Sequence, residues 1–217
     1  LGSRSGLFRY HPQTGEITPF LHDPHDPTSL SDDTIATVYV DRIGEIWVGT
    51  ENGLNRLNPT GEGFVHYDYD QAQPGALSAP SVTAIHEDSQ GLLWVGTWGG
   101  GLNRLDRETN TIITFRQKDG LPVDVILGIL EDEQGRLWLS TTKGIARFDP
   151  KTEEIQTYDL QDGLVADDFA EGSAFQRGPG ELFFGTDGVV VFDPRTIRDN
   201  PTPPNVVLTD FRLFNQS

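Results

Sequence analysis

The stretch GLLWVGTWGGGLNRLDR, residues 91–107, decides the fold because the chain repeats its pattern. GEIWVGTENGLNRLNP (44–59) precedes it and GRLWLSTTKGIARFDP (135–150) follows. GELFFGTDGVVVFDP (180–194) is a weaker copy in which Phe183 stands at the tryptophan position. The leading glycines fall at 44, 91, 135 and 180, giving spacings of 47, 44 and 45 residues. Half a copy, GLFRYHPQTGEITPF (6–20), opens the chain. A fixed period of this size marks a repeat architecture, in which each unit buries its apolar face only against a neighbour.

Each unit reads as four short strands. In the third they cover 83–86, 92–96, 102–105 and 112–116, separated by turns at 88–91, 98–101 and 106–110. Gly and Asn tolerate positive φ there, and Asp and Ser side chains accept from nearby backbone donors. Pro follows Asn58, Asp149 and Asp193, where no strand ladder can continue. Residues 124–131 have some helical character in isolation, but repeat alignment places them on a first strand. Four strands in about 45 residues fit a β-propeller blade. The fold class is therefore all-β, with roughly four to five blades spanning 1–200. Trp47, Trp94 and Trp138 recur at one position and are expected to pack between blades, since functional tryptophans would break the repeat.

The blade count is incomplete at both ends. The opening copy reads as lacking its first two strands and the closing copy as lacking a clear fourth. Either residues 17–20 complete the last blade, or the chain is part of a larger propeller; the second is the expectation. Open ends expose strand edges and apolar faces, which drive association. Residues 201–217 are a closing strand or the start of something further.

Composition narrows the function. The 217 residues carry 16 Lys+Arg against 33 Asp+Glu, a net charge of −17, which argues against nucleic acid as a partner. Zero Cys removes disulfides, thiolate metal sites and a Cys nucleophile. No apolar run reaches the length of a membrane span, so membrane attachment would come only through segments absent from this chain.

Antiparallel connectivity puts the turns after second strands and the links between blades on one face, and these loops are the longest and most varied. Binding residues gather on variable loops held by a rigid scaffold, so this face is the candidate site. Trp98 is the only tryptophan off the repeat position and sits beside three glycines. An exposed indole flanked by bare backbone suits stacking on a sugar or aromatic ligand; the alternative is a side chain folded back over its blade. Glu51, Asn52, Lys143 and Asp187 share that face as candidate ligand contacts. Several constellations are weak. His22 and His25 in Asp-Pro-His-Asp-Pro mimic a metal cluster, but the prolines forbid the helix that would align them. Residues 131–135 lack calcium-loop spacing, and no nucleophile elbow or phosphate cradle occurs. No catalytic residue, metal or cofactor is assigned.

The run Ile-His-Glu-Asp-Ser-Gln-Gly-Leu-Leu-Trp-Val-Gly-Thr (85–97) with Gly-Gly-Leu-Asn-Arg-Leu (100–105) resembles the two-component regulator propeller repeat. The links at 26–32 and 75–78, and the Asp-Gly-Leu steps at 119–121 and 162–164, are similar to that family's approach to the next blade. Residues 169–175 and 180–194 are similar to its last blade, and 203–215 looks like the first strand of the immunoglobulin-like, triple-tyrosine-motif domain that follows it. The resemblance implies the C-terminal part of a sensor's input region, periplasmic or extracellular in a membrane-anchored receptor, that passes ligand binding to a histidine kinase. Glycan-derived ligands are common in that family, so it implies a small-molecule or oligosaccharide ligand. Three functions follow as expectations. The first is a non-catalytic sensory propeller recognising a saccharide on the loop-rich face. The second is an interaction or dimerisation platform, a homo-oligomer through blade edges. The third, less favoured, is a propeller lyase or glycosidase using acidic loops.

Overall fold

The computed structural model describes residues 1–198 apart from 108 and 179. Five antiparallel sheets follow one another along the chain, each meandering through neighbouring strands. The first holds β1 (Gly2–Ser3), β2 (Gly6–Tyr10) and β3 (Ile17–Phe20). The second holds β4 (Ile35–Val40), β5 (Ile46–Thr50), β6 (Gly53–Leu57) and β7 (Phe64–Tyr67). The third holds β8 (Val82–Glu87), β9 (Leu93–Thr97), β10 (Gly101–Asp106) and β11 (Thr111–Phe115). The fourth holds β12 (Ile126–Glu131), β13 (Leu137–Thr141), β14 (Gly144–Phe148) and β15 (Ile155–Tyr158). The fifth holds β16 (Ala174–Arg177), β17 (Glu181–Gly185) and β18 (Val189–Phe192). The expected all-β propeller is what the chain builds. Its helical content among the described residues is three short 3-10 turns. Residues 201–217, read as a closing strand or the start of a following domain, lie outside the described residues.

Successive first strands β4, β8, β12 and β16 pack side by side, so they form the inner layer and each blade runs outward from them. Each recurrent tryptophan fills the space between its own blade and the next. Trp47 clusters with Val82, Ile85 and Leu93, Trp94 with Ile126, Ile129 and Leu139, and Trp138 with Leu182, Phe184 and Val190. All three indoles are at most 1% exposed. In the second and third blades the glycine two residues after the tryptophan lets the blades close up. A Cβ on Gly49 would lie 2.6 Å from Val82 Cγ1, and one on Gly96 2.8 Å from Ile126 Cγ2, both in the next blade.

A buried indole N–H needs an acceptor. In each complete blade it finds an aspartate six residues earlier: Trp47 donates to Asp41 at 3.0 Å, Trp94 to Asp88 at 2.7 Å and Trp138 to Asp132 at 2.8 Å. The other carboxylate oxygen accepts two turn amides, from Ile43 and Glu45, from Gln90 and Leu92, or from Gln134 and Arg136. One side chain thus shapes the first turn and anchors the blade's core. Between blades, the Arg42 amide donates to Glu87 at 2.8 Å and the Ser89 amide to Glu131 at 2.8 Å. Arg107 bridges Asp41 and Glu87 at 3.0 and 3.1 Å.

Two end readings are corrected or decided. The opening copy is not without its second strand, because Gly2 and Ser3 pair with Leu7 and Gly6 as the end of one. Leu-Gly-Ser stands there in place of Val-Gly-Thr, which hid the match. Ile17–Phe20 pairs with β2 in the first blade and does not complete the last.

Asp88→Ala is expected to cost about 3 kcal/mol in urea denaturation, because it strands a buried indole donor and two turn amides. Combining it with Trp94→Phe should cost clearly less than the two single changes added; strict additivity would contradict the link. Acid should also weaken the fold. Burial works to raise the Asp41 carboxyl, but Trp47, the Glu45 amide, Arg107 and the Ile43 amide outweigh it and hold it below the usual range. Glu131 is likewise lowered against its burial, by His86 3.7 Å away and by Ser89. Carboxyls lowered on folding stabilise above their unfolded value, about 4, and lose that contribution as pH falls through the folded value. Tm should therefore drop below about pH 4, with a shallower drop in Asp41→Asn. A Tm unchanged between about pH 5 and 2.5 would be incompatible with this.

Candidate functional site on the loop-rich face

The turns joining second to third strands and the links joining blades share one end of the sheets. They are less free than their length suggests. Leu30, Leu77 and Leu121 of three links are at most 3% exposed, each plugging the blade it leads into. Beside Leu30, the Ser31 amide donates to Asn55 Oδ1 at 3.0 Å, Asn55 Nδ2 donates to Ser31 Oγ at 2.8 Å, and Thr50 lies 2.8 Å from the same hydroxyl. Ser78, Thr97 and Asn103 repeat this arrangement more loosely. The Asp-Gly-Leu steps are small helical turns, Gln117–Asp119 and Leu160–Asp162, ending on Gly120 and Gly163 at φ 116° and 98°. Turns are also tied to the next blade's link: the Gly6 amide donates to the Asp33 carbonyl, and those of Gly99 and Gly101 to Asp124.

On this frame Trp98 is 53% exposed, while its backbone amide is fixed by the Ser81 carbonyl at 2.9 Å. Gly99 beside it faces open space. Gly99 also lines a polar cavity of about 390 Å³ with Tyr69, Asp70, Gln73, Thr114 and Arg116. Arg116 is held there by donating to the Ser78 carbonyl at 3.1 Å. Tyr69 is 42% exposed, so a second aromatic surface stands on the cavity wall. An aromatic face beside amide, carboxylate and guanidinium groups can bind a ligand that has both an apolar face and a rim of hydroxyls.

The other expected residues occupy the same end of different blades. Glu51 and Asn52 form the β5–β6 turn; Asn52 donates to the Ser31 carbonyl at 3.4 Å, so its amide braces a link. Lys143 is exposed in the β13–β14 turn, and among the described residues its ammonium has no hydrogen bond or ion pair. Asp187 is exposed at the tip of a turn closed by Thr186 and Gly188. Sequence reading missed Glu171, in the link before β16. Burial pushes its carboxyl above the ordinary range, the Glu51 carboxylate adds to the push, and Arg4 opposes it. Loops of the first, second and fifth blades therefore come within electrostatic reach of one another, and no local motif could have indicated it. The histidine pair is absorbed by the loop's own backbone: His22 Nδ1 lies 2.6 Å from the Leu30 carbonyl, and the His25 amide donates to Asp23. Among the described residues no group of three or more His, Cys, Asp or Glu is placed to hold a metal ion.

The two component regulator propeller family matches residues 29–52, 76–99 and 120–143, each match running from a link through the first two strands of a blade. The chain is 30% identical over 216 residues to Histidine kinase P4 of Formosa agariphila, covering 98% of this chain and 16% of that protein. The chain thus spans about one sixth of the curated relative it matches. Its structure is similar to the extracellular domain of BT4673, assigned as a hybrid two component system of B. thetaiotaomicron. There the TM-score is 0.76 at 24% identity, over 90% of this chain and 28% of that one. The extracellular domain of BT3049, assigned likewise, gives 0.60 at 21% identity, over 97% and 34%. The repeated Asp, Trp and Gly positions, the link sequences and the blade geometry agree with one another: the chain carries two component regulator propeller repeats at 29–52, 76–99 and 120–143.

Proposed function

We propose that this chain is the non-catalytic, extracytoplasmic sensory propeller of a two-component receptor, and that it binds a saccharide on the loop-rich face. The observation that carries the ligand reading is Trp98, half exposed beside Gly99, which itself lines the polar cavity of Tyr69, Gln73 and Arg116. Aromatic faces pack against the apolar side of a sugar ring while planar polar groups take its hydroxyls. The receptor reading is supported by the repeat family and by the histidine kinase relative. The extracytoplasmic placement is supported by the extracellular domains that share the fold. A ligand acts in such a receptor only through different affinities for two arrangements of its input region.

In a thermal-shift screen against oligosaccharides, a true ligand at 100 times its Kd should stabilise the chain by about 2.7 kcal/mol, roughly 5–10 °C in Tm. Trp98→Ala should abolish most of that shift without lowering the unliganded Tm. If no saccharide shifts either this chain or the longer input region, the ligand class is wrong.

A second reading, an association platform within the receptor, rests on a different observation. The outward face of the fifth blade leaves Phe175, Val189 and Val191 at 63%, 60% and 47% exposed. Sedimentation should then show concentration-dependent dimers that Phe175→Asp converts to monomers. A chain that stays monomeric at high concentration would remove this reading and leave the first intact.

A further inference from the structure

Arg116 stands where two sibling blades carry aspartate. It directly follows β11, as Asp68 follows β7 and Asp159 follows β15. Asp159 opens the helical turn Leu160–Asp162 and caps it, its side chain accepting from the Gln161 amide at 2.7 Å. Arg116 opens the matching turn Gln117–Asp119, and its side chain makes no cap. Aspartate suits such a position because it accepts from an otherwise unpaired amide, and a guanidinium accepts nothing. The third blade therefore gives up a local stabilising contact that the fourth keeps. Local rules are broken where function takes over a position.

The charge of Arg116 is equally out of place. In a chain of net charge −17, Arg42, Arg56, Arg107 and Arg136 each lie 2.8–3.6 Å from a carboxylate. Arg116 has no such partner among the described residues. Its half-buried side chain donates from Nη2 to the Ser78 carbonyl at 3.1 Å, which fixes the guanidinium but does not neutralise it. The carboxylates nearest in the link hold backbone instead. Asp70 accepts from the Ala72 amide at 2.8 Å, Asp119 from the Arg116 amide at 2.9 Å and Asp124 from the Gln117 amide at 2.6 Å. Arg116 lines the polar cavity of about 390 Å³ with Tyr69, Gln73 and Thr114. Gln73 and Thr114 supply neutral groups for hydroxyls. Arg116 adds a permanent charge and a planar fork, the geometry that pairs with a carboxylate or a sulfate.

Resting on the saccharide reading of this face, we propose that the ligand is acidic, a uronate or sulfated sugar whose anionic group pairs with Arg116. Trp98 and Tyr69 serve the sugar ring whatever its charge. Arg116 makes the site selective for the anion.

Calorimetric titration of this chain with matched pairs tests it: an oligogalacturonate against its methyl ester, and a sulfated galactan oligosaccharide against its desulfated form. An acidic member should bind about tenfold or more tighter than its neutral counterpart, and the pair that responds separates carboxylate from sulfate. Arg116→Gln should remove about tenfold or more of that member's affinity and leave the neutral counterpart unchanged. Arg116→Lys should retain part of it, because the charge stays and the fork is lost. Arg116→Asp should abolish acidic binding while the unliganded Tm holds or rises, since the new carboxylate can cap the turn. Neutral members binding as tightly as acidic ones, or acidic binding that survives Arg116→Gln, would overturn the charge assignment and leave the saccharide reading standing. So would a lowered Tm in Arg116→Asp with the charge preference unaltered, which would make Arg116 a brace for Ser78. Silence from both pairs and from the neutral oligosaccharides of the thermal screen would sink both readings.

Discussion

The hydrogen bond from each recurrent indole to its aspartate is the constraint on which the rest of the structure depends. A tryptophan large enough to fill the gap between two blades carries one N–H that must not be buried alone. The aspartate that accepts it is itself at most 7% exposed in each of the three complete blades, so its charge also needs partners. It finds them in two turn amides, and in Arg107 or Arg136 for Asp41 and Asp132. Core packing, turn geometry and charge burial are thus settled together. The third-strand arginine completes the arrangement: Arg56, Arg104 and Arg147 sit 5.7–5.9 Å over the rings of Trp47, Trp94 and Trp138.

The fifth blade shows the same logic by exception. Where tryptophan becomes Phe183, the aspartate position holds Arg177 and the arginine position holds Val191. Donor, acceptor and cation disappear as a set, because a phenyl ring has no N–H to satisfy. Val191 and the neighbouring Phe175 then form an apolar stretch, with the exposed Arg177–Glu181 pair at the end of the same face. That blade is therefore the place where the internal repeat stops prescribing what packs next.

Rigidity and variety are combined on the loop face. Buried leucines and the Ser–Thr–Asn clusters pin the base of each link, so the residues between them change without disturbing the blades. The strongly acidic chain concentrates its structural cations elsewhere, in the arginines over the indoles and between blades. What remains on the face is a sparse set of groups, Trp98, Tyr69, Arg116 and Lys143 among them, displayed on a braced frame. This is the physical condition for recognition without a catalytic constellation.

The sequence by itself determined the blade: the period, the four-strand meander, the inter-blade role of Trp47, Trp94 and Trp138, and the face on which Trp98 lies. These were legible because they are local and repeated, so each copy checks the others. The two-residue β1 was not, since Leu-Gly-Ser keeps too little of Trp-Val-Gly-Thr to be matched by pattern. Tertiary structure alone decided that Glu171, Glu51 and Arg4 share one electrostatic neighbourhood, and that Asn52 braces a link. Those facts depend on how blades separated by tens to more than a hundred residues are turned toward one another. A repeat specifies each step between neighbours, whereas the approach of distant blades depends on the sum of all the steps.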